Sequence, residues 1–406
     1  MDQFNEIHKH SLEALKEIAI EKLDEATKGI RQWTERIRPE GGTAGRFRWA
    51  VQSTREANVA STNYILGALQ EIGIYDEVIT VEDKKAGIEW IRSMHLGNEQ
   101  YRDPVICDKK PPHWPENEPW PSAAMKVIIN QYAQGVLRSY SGAKFPSPPP
   151  PEGWPQPDDP PEKMVAWIKS RRLDEDPWGA GSHSSRVAVW MLQWYSEGRI
   201  PVEPLLEVIE YFYGKQDPET GLWGSKKRPL FERINGTFKL FIFLQYALDL
   251  PLPYAEKIVD NTIGEFYRPD YDKTAGGCDE FDNWYVIVLA ARKTAGYRAE
   301  EIKKLAAYRI KRVLDLYQKP DGGLSYYVDR CATGWGECDM APSLSQGDAV
   351  ALATYTEGIN ICVDMLGIKG KTSWSGKWGH DKARPSEEIR KEINHLVLVK
   401  DIIKSR

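Results

Sequence analysis

Apolar residues recur along most of the chain at the three- and four-residue intervals of an amphipathic helix, and runs that alternate apolar and polar positions are almost absent. This pattern predicts an all-α protein. The predicted helices are Leu12–Trp33, Val59–Ile72, Ala123–Leu137, Met164–Ser170, Arg186–Tyr195, Val202–Tyr213, Phe238–Leu248, Tyr254–Ile263, Trp284–Thr294, Ala299–Tyr317, Asp348–Leu366 and Ser386–Ile403.

The connections between these helices repeat one theme, a glycine next to an aromatic residue. They are GRFRW (45–49), DPWGAGSH (176–183), QDPETGLWG (216–224), GGCDEFDNW (276–284) and QKPDGGLSYY (318–327). From Gly181 onward they recur about every 40 to 55 residues, the length of one helical hairpin. A hairpin of that size cannot bury its apolar face alone, so the spacing predicts several stacked hairpins whose turns gather at two ends.

Two of these connections carry a resemblance to a known group of proteins. QDPETGLWG and QKPDGGLSYY each end a helix and resemble the Gln-x(2–5)-Gly-x-aromatic turns of the α/α-toroid superfamily. That superfamily includes terpene cyclases, protein prenyltransferase β-subunits, polysaccharide lyases and glycoside hydrolases. The resemblance covers about residues 160–366, more loosely from 45, and implies an α/α toroid, a barrel of helical hairpins. It does not choose among these chemistries, because one fold hosts many functions.

The proline-dense stretch 102–161 interrupts the helical pattern, since proline lacks the donor that a helix interior needs. The chain therefore divides into N-terminal helices that join the toroid (1–101), a Pro- and Trp-rich loop and linker (102–161), the core repeats (162–370), and a C-terminal tail and helix (371–406). The long insertion is interpreted as an ordered surface loop, or as a lid that forms one wall of a groove.

Charge and cysteine content narrow the partners and the compartment. The net charge is −5 with acidic and basic residues well mixed, which argues against nucleic acid as a partner. No window approaches 18 uninterrupted apolar residues, so no membrane span is predicted. Five cysteines are too few for a disulfide framework and favour a reducing, cytoplasmic location, with a removed signal peptide left open. The oligomeric state is not indicated.

The 15 tryptophans are far above average usage, and many lie in glycine- or proline-containing connections. Aromatic faces beside carboxylates are what a sugar-binding site needs. We therefore expect a small-molecule or oligosaccharide substrate that contacts the aromatic residues of the helix-opening loops. These are Trp178, Trp223, Trp284, Tyr326, Tyr327 and Trp335.

The first candidate site residue is His183, in GAGSHSSRVAVW. We expect His183 at a helix N-terminus, where the positive end of the helix dipole lowers an imidazole's pKa and favours its neutral, base-competent form. The alternative is a capping turn that carries an incidental histidine. The second candidate group is in FERINGTFKLF, where Arg233, Asn235 and Lys239 offer donors for an anionic or hydroxyl-rich ligand. Because Asn-Gly is also a common turn dipeptide, an ordinary turn remains the alternative.

The acidic run DEFDN is the third candidate. Helix capping explains one or two acids here, but three acids and an amide in five positions exceed what capping uses. Asp279 and Asp282 are three residues apart and so share a helix face, where one carboxylate would raise the pKa of the other. Tyr285 follows one turn later as a candidate base. The fourth candidate group is the loop 329–350, in which Glu337 and Asp348 flank glycines and Trp335.

Cofactors and metals are not expected. Cys278, Cys331 and Cys338 with His183 could ligate zinc, and the toroid superfamily contains zinc sites. However, the chain has no Cys-x-x-Cys or His-x(3)-His spacing, so no metal site and no cofactor are predicted.

Three classes of function remain open. A carbohydrate-active enzyme is preferred: as a lyase it would use Asn235 or Arg233 to neutralise a uronate and His183 or Tyr285 as base, and as a hydrolase it would use two carboxylates. The carboxylates for that second chemistry are Asp279, Asp282, Glu337 and Asp348. The first alternative is a class II terpene cyclase, because DEFDN is similar to that family's Asp-x-Asp-Asp stretch, although Phe281 replaces the middle acid that donates the proton. The second is a toroid that binds glycans without turning them over.

Overall fold

The computed structural model describes residues 7, 9–40, 45–97, 100–108, 110–111, 116–118, 120–143, 150, 153–336, 338–378 and 384–403. Most of them are helical, as the apolar periodicity predicts. The helices are α1 (Leu12–Arg36), α2 (Val59–Ile72), α3 (Tyr75–Val78), α4 (Val81–Ser93), α5 (Pro104–Cys107), α6 (Ala123–Ser141), α7 (Pro161–Ser170), α8 (Pro177–Ser196), α9 (Glu203–Gly214), α10 (Leu230–Phe241), α11 (Ala255–Phe266), α12 (Tyr271–Thr274), α13 (Gly277–Ala291), α14 (Ala299–Tyr317), α15 (Ala349–Leu366) and α16 (Glu387–Val399). A π-helix (Ile242–Ala247) continues α10.

Two short antiparallel hairpins are the only paired strands among the described residues. The first joins β1 (His95–Gly97) to β2 (Gln100–Tyr101), and the second joins β3 (Gly334–Trp335) to β4 (Cys338–Asp339). The second hairpin belongs to the long loop before α15, and it fixes the position of Trp335.

Three core helices begin about two turns or more earlier than the apolar pattern predicts. Helix α8 begins at Pro177 because Asp176 caps it, with its Oδ1 accepting from the Gly179 amide at 2.9 Å, and because proline suits the first helical position. Likewise α10 begins at Leu230 and α13 at Gly277. The polar residues and glycines before each apolar stripe, which the sequence pattern predicts to be loops, therefore form the first turns of these helices.

The helices pack in a continuous series. Helix α8 contacts α10, α10 contacts α13, α13 contacts α15, α15 contacts α2, and α2 contacts α6. The others cover this series from outside: α7 and α9 pack on α8, α11 on α10 and α13, α14 on α15, and α4 on α6. Helix α1 in turn packs on α14. Many of the residues that the sequence singles out lie in the first two turns of α8, α10 and α13 or in the loops before α10 and α15, whereas Lys239 and Tyr285 lie further along α10 and α13.

Two turns of the repeated sequence theme share one local structure. In each turn a glutamine side chain donates through Nε2 to a glycine carbonyl oxygen: Gln216 to Gly221 at 2.8 Å and Gln318 to Gly322 at 3.1 Å. Both glycines are in the left-handed region, with φ of 76° and 94°. Since only glycine adopts this conformation without strain, the Gln…Gly spacing follows from a common turn geometry.

None of the helices that the structure describes combines the length and the apolar character needed to cross a membrane.

Candidate functional site

The three acids of DEFDN face three different surroundings. Asp279 caps its own helix, because its Oδ2 accepts from the Gly276 amide at 2.8 Å. Its Oδ1 accepts from Asn235 Nδ2 at 3.0 Å, which ties α13 to α10. Asp279 and Asn235, both predicted site residues, are thus brought together by a direct hydrogen bond.

Glu280 belongs to a buried ion-pair network on the outer side of α13. Its carboxylate accepts from Arg309 Nη2 at 2.7 Å, and Arg309 also donates to Asp272 at 2.6 Å. Trp284 Nε1–H donates to the same carboxylate at 2.9 Å. Arg309 is only 1 % exposed, so this network is a buried ion-pair link from α14 to α13.

Asp282 is the exceptional member of the run. Its side chain is 1 % exposed, and neither carboxylate oxygen has a hydrogen-bond partner among the described residues. Its nearest cation is Lys239 on α10, with Nζ 3.8 Å from Oδ2. Burial raises the pKa of Asp282 to about 8, opposed by Lys239 and assisted by the charges of Asp279 and Glu357. At neutral pH the carboxyl group is therefore mostly protonated and able to donate a proton.

Lys239 connects this buried acid to the surface. Its ammonium lies 4.2 Å from the centre of the Phe238 ring and 6.0 Å from that of Trp178. Exposure rises along this line, from 1 % for Asp282 to 19 % for Lys239 and 50 % for Trp178. The three side chains thus run from a buried acid through a cation to an exposed aromatic face.

The close packing of α8 on α10 places Trp178 near Lys239. A Cβ added to Gly181 would lie 3.2 Å from the Gly236 carbonyl oxygen and 3.4 Å from Lys239 Cβ. The helices can therefore approach only because both positions are glycine. In DPWGAGSH, Gly181 therefore lies at the contact between α8 and α10, whereas Gly179 leaves room for the capping side chain of Asp176.

A hydroxyl array that sequence reasoning missed lies close to the same acid run. Tyr132 of α6 donates its hydroxyl to that of Tyr64 of α2 at 2.7 Å, and Trp335 Nε1–H donates to Tyr64 at 3.2 Å. Burial raises the pKa of both tyrosines, so both stay protonated at neutral pH. Cys278 of α13 lies close enough to influence both hydroxyls.

Arg186 of α8 is the second cation that sequence reasoning missed. Burial lowers the pKa of its guanidinium, and the one titratable neighbour that opposes this among the described residues is the Tyr132 hydroxyl. No carboxylate of the described part of the chain forms an ion pair with Arg186. The Arg186 side chain is half-buried, and a partly desolvated cation without a counter-ion is costly unless something else supplies the negative charge.

His183 is the seventh residue of α8 and so lies beyond the first turn, where the helix dipole acts. The prediction that the helix dipole lowers the pKa of His183 is therefore wrong. Its pKa is nevertheless lowered, first by partial burial and then by the charges of Arg186 and Arg171. Trp154 contacts the imidazole edge-on at 4.7 Å, so the Pro-rich insertion covers one side of this histidine.

Asp348 anchors the loop that precedes α15. One carboxylate oxygen caps the helix by accepting from the Ala351 amide at 2.9 Å, and the other accepts from the Tyr326 and Ala332 amides at the same distance. Burial raises the pKa of Asp348 to about 7, against the effect of these hydrogen bonds. Because its oxygens are occupied, Asp348 holds the loop in place and positions Tyr326 beside α13.

Tyr326 and Tyr327 lie at the N-terminal end of α13. The Tyr326 hydroxyl accepts from the Cys278 amide at 3.3 Å, and its ring fills the space that glycines at 276 and 277 leave open. Tyr327 meets Tyr326 edge-on and stacks under the Arg330 guanidinium at 4.4 Å.

Other predicted site residues lie away from Asp282 and Lys239. Arg233 Nη2 donates to Asp217 at 2.9 Å and to Thr220 at 2.7 Å, and so holds the turn before α10. Trp223, Trp284 and Tyr285 are at most 1 % exposed and pack in the core. Glu337 lies outside the described residues.

The described residues contain no group of three His, Cys, Asp or Glu side chains placed to hold a metal ion. The cysteines considered for zinc are thiols; Cys331 and Cys338 are buried, and Cys278 is half-buried.

The residues that converge are Asp282, Lys239 and Trp178, with Asn235, Asp279, Tyr326 and Trp335 near them and Tyr64, Tyr132 and Arg186 added by the fold. Comparison with known proteins adds no family: no family model, no curated protein and no solved structure matches the chain.

Proposed function

We propose that the chain folds as an α/α toroid, with α8, α10, α13, α15, α2 and α6 as its inner ring. The continuous packing of these helices supports the proposal. So does the influence of Arg186 on the pKa of Tyr132, which relates α8 to α6, the two ends of the series. The equivalent Gln–Gly turns agree with repeated hairpins. In such a ring, Asp282, Lys239, Arg186, Tyr64 and Tyr132 all line one lumen.

Within this toroid we infer a carbohydrate-active enzyme that acts on glycans containing uronic acids, by β-elimination. One observation carries the inference: a buried, protonated carboxyl group lies beside a cation that leads outward to an exposed tryptophan. A uronate residue offers the matching chemistry, because it combines a carboxylate for the cations, an apolar ring face for Trp178, and a glycosidic oxygen that must gain a proton as it leaves.

The reaction assigns a role to each group. Lys239 and Arg186 bind the substrate carboxylate and stabilise the charge that develops when the proton at C5 is removed. His183, with its lowered pKa, is the base that removes this proton. Asp282 donates its proton to the leaving oxygen at C4, and the electrons of the broken C5–H bond form the C4=C5 double bond.

The geometry reduces the sequence alternatives for these roles. Arg233 donates to Asp217 and Thr220, Asn235 donates to Asp279, and Tyr285 lies in the core. The proposal therefore assigns the substrate carboxylate to Lys239 and Arg186 and keeps His183 as the base. Class II cyclase chemistry, the main alternative, also needs a buried acid to donate a proton. It proceeds through carbocations, however, and the Lys239 ammonium beside the acid would oppose them.

The proposal is tested by incubating the protein with a panel of uronic-acid polysaccharides and following the ultraviolet absorbance of the unsaturated product. We expect turnover by the wild type, its loss in Asp282→Asn, and no change in Asp24→Asn, a matched substitution at an exposed position of α1. Activity should also fall as pH rises through about 8, since the acid must be protonated.

Other results would replace the proposal with a named alternative. New reducing ends without ultraviolet absorbance would indicate a hydrolase. Turnover of squalene or a prenyl diphosphate, with no effect on glycans, would indicate a cyclase. Glycan binding without any product would indicate a non-catalytic binding protein. Full lyase activity in Asp282→Asn would remove Asp282 from the mechanism.

A further inference from the structure

A cavity lies at the C-terminal ends of α2 and α13, beside the π-helix. It has a volume of about 380 Å³, and its walls include Glu71 near the end of α2, Tyr246 of the π-helix and Arg292 at the end of α13. The segment after α15 supplies the remaining wall, with Trp378 and Arg384. π-Helical turns are rare and are frequently found at functional sites.

Tyr285 separates this cavity from Asp282. It follows Asp282 by one helical turn, and its fully buried ring packs edge-on against Trp378 at 5.4 Å between centres. Phe281 and Phe238 pack against the same ring. The cavity is therefore a site distinct from the one proposed for the glycan.

Two guanidinium groups of the cavity are held on aromatic faces. Arg384 stacks 4.2 Å from the centre of the Tyr246 ring, and its Nε donates to the Tyr246 carbonyl oxygen at 3.2 Å. Arg292 lies 5.0 Å from the centre of Trp378. Both cations oppose the pKa increase that burial causes at Tyr285, so they approach one hydroxyl from two separate segments.

The carboxyl group in the wall does not neutralise these cations. Burial, reinforced by the neighbouring Glu357, raises the pKa of Glu71 well above its usual range, which favours the uncharged form of this carboxyl group. Asp364 lies 3.9 Å from Arg292 and accepts from Trp378 Nε1 at 3.1 Å, but it does not line the cavity. Lys377 adds a third cation to the wall.

We propose that this cavity binds a tetrahedral oxyanion group, a phosphate or sulfate ester carried by a small molecule. Stacked guanidinium groups present planar donor forks that match phosphate and sulfate oxygens. Tyr246 and Trp378 offer apolar faces to the group that carries the ester. The competing explanation is that the cations only complement the helix C-termini, where positive charge is mildly stabilising.

Calorimetric titration of the full chain with sodium phosphate and sodium sulfate, at constant ionic strength, distinguishes the two explanations. We expect saturable one-to-one binding, weakened about tenfold or more in Arg384→Gln and in Arg292→Gln, because each loses a charge-assisted pair of hydrogen bonds. Lys369→Gln, at an exposed position of the same C-terminal segment, should bind as the wild type does. Malonate as a third ligand tests whether a dicarboxylate substitutes for the tetrahedral anion.

Absence of saturable heat with phosphate and sulfate would overturn the proposal, and so would equal binding by the Arg292→Gln/Arg384→Gln double variant. Thermal melting of each variant checks that it is folded. If the cations only complement the helix C-termini, the variants should lose a little stability and neither the wild type nor the variants should bind the anions. Because the readout is binding and not turnover, the result is independent of the proposed lyase activity.

Discussion

Asp282 and Asp279 show how partners decide the chemistry of a carboxylate. The two residues lie on neighbouring faces of one helix, but Asp279 accepts hydrogen bonds from Gly276 and Asn235. Asp282 has no such donors and faces only the Lys239 ammonium at 3.8 Å. Burial without hydrogen bonds favours the neutral acid, so Asp279 is a helix cap whereas Asp282 keeps its proton to higher pH.

Replacing Asp282 with Asn should therefore increase stability at alkaline pH. The folded-state pKa of about 8 exceeds the unfolded value of about 3.9, so the native protein holds a proton that the unfolded chain loses between these values. Stability from this group is present at acid pH and is lost as pH rises to about 8. Each unit of pKa elevation corresponds to about 1.4 kcal/mol, so at pH ~9 we expect the variant to be more stable by at least ~1 kcal/mol.

Urea unfolding of the two proteins between pH ~4 and ~9 measures this difference. Glu71 and Asp348 also have raised pKa values, but both are present in the wild type and in the variant. The difference between the two stability curves therefore reports on Asp282. Parallel stability curves would show that Asp282 is ionised in the folded protein.

Lys239 makes a second prediction at the residue scale. Its ammonium lowers the pKa of Asp282, so Lys239→Gln should raise that pKa by about one unit, while Lys239→Arg, which keeps the charge, should leave it nearly unchanged. Carboxyl-carbon NMR titration of Asp282 measures the shift. An unchanged midpoint in Lys239→Gln would mean that the two side chains do not interact in solution.

Sequence reasoning identified Asp282, Lys239 and Trp178 because each stands out locally, as surplus acid, surplus base or an aromatic beside glycines. It missed Tyr64, Tyr132 and Arg186. These three residues lie inside ordinary amphipathic helices, 54 to 122 positions from one another. Only the packing of α2, α6 and α8 relates them, and no local pattern records that packing.

At the scale of single elements, the apolar periodicity predicted helix existence well and helix starts poorly. The first turns of α8, α10 and α13 contain glycines and polar residues, because these turns face neighbouring helices at close range or carry the site. The apolar stripe from which each helix was predicted therefore begins later than the helix itself. Asp176 followed by Pro177 is a start signal that could have placed α8 correctly.

The buried network between α13 and α14 gives a prediction on stability. Arg309→Met leaves Glu280 and Asp272 without their shared buried cation, and such a loss typically costs about 3–5 kcal/mol. Lys311→Met removes an exposed ion pair with Asp315 on the same helix and should cost less than about 1 kcal/mol. Denaturant unfolding compares the two; similar losses would mean that the buried network contributes no more than a surface pair.

The turn that contains Gly322 predicts a steep cost for a single methyl group. A Cβ at Gly322 would lie 2.2 Å from the Gly29 carbonyl oxygen, in addition to the strain of a left-handed φ of 94°. Gly142 also has a positive φ but nothing within 4 Å of an added Cβ. Gly142→Ala should therefore cost about 1–2 kcal/mol and Gly322→Ala clearly more. Equal melting temperatures of the two variants would contradict the contact between α1 and this turn.

Across the whole molecule, early and late segments depend on one another. The Ala349 amide donates to the Trp49 carbonyl oxygen at 2.9 Å, the Gln52 amide donates to the Gln346 side chain at 2.9 Å, and α1 packs on α14. Residues from the start of the sequence therefore contact α14 and the N-terminal end of α15. Such long-range contacts slow folding, because distant segments must meet before they gain stability.

Two deletions should consequently have unequal effects. Helix α1 buries eight side chains and α16 only two, Ile393 and Val397. We expect a chain that lacks residues 1–36 not to fold, because α14 loses its cover, and a chain that lacks residues 387–406 to fold with a lower melting temperature. Circular dichroism and thermal melting test both, and a folded N-terminal deletion would contradict the dependence of α14 on α1.

The hydrogen bond from Arg384 to the Tyr246 carbonyl joins residues 138 positions apart, and it has a consequence for biosynthesis. The ribosome synthesises the walls formed by α2, the π-helix and α13 well before Arg384 emerges. Until then the cavity has one open side and a single stacked guanidinium. Docking of residue 384 is thus a late event, and a nascent chain arrested before it would expose Tyr246 and Tyr285 to solvent and chaperones.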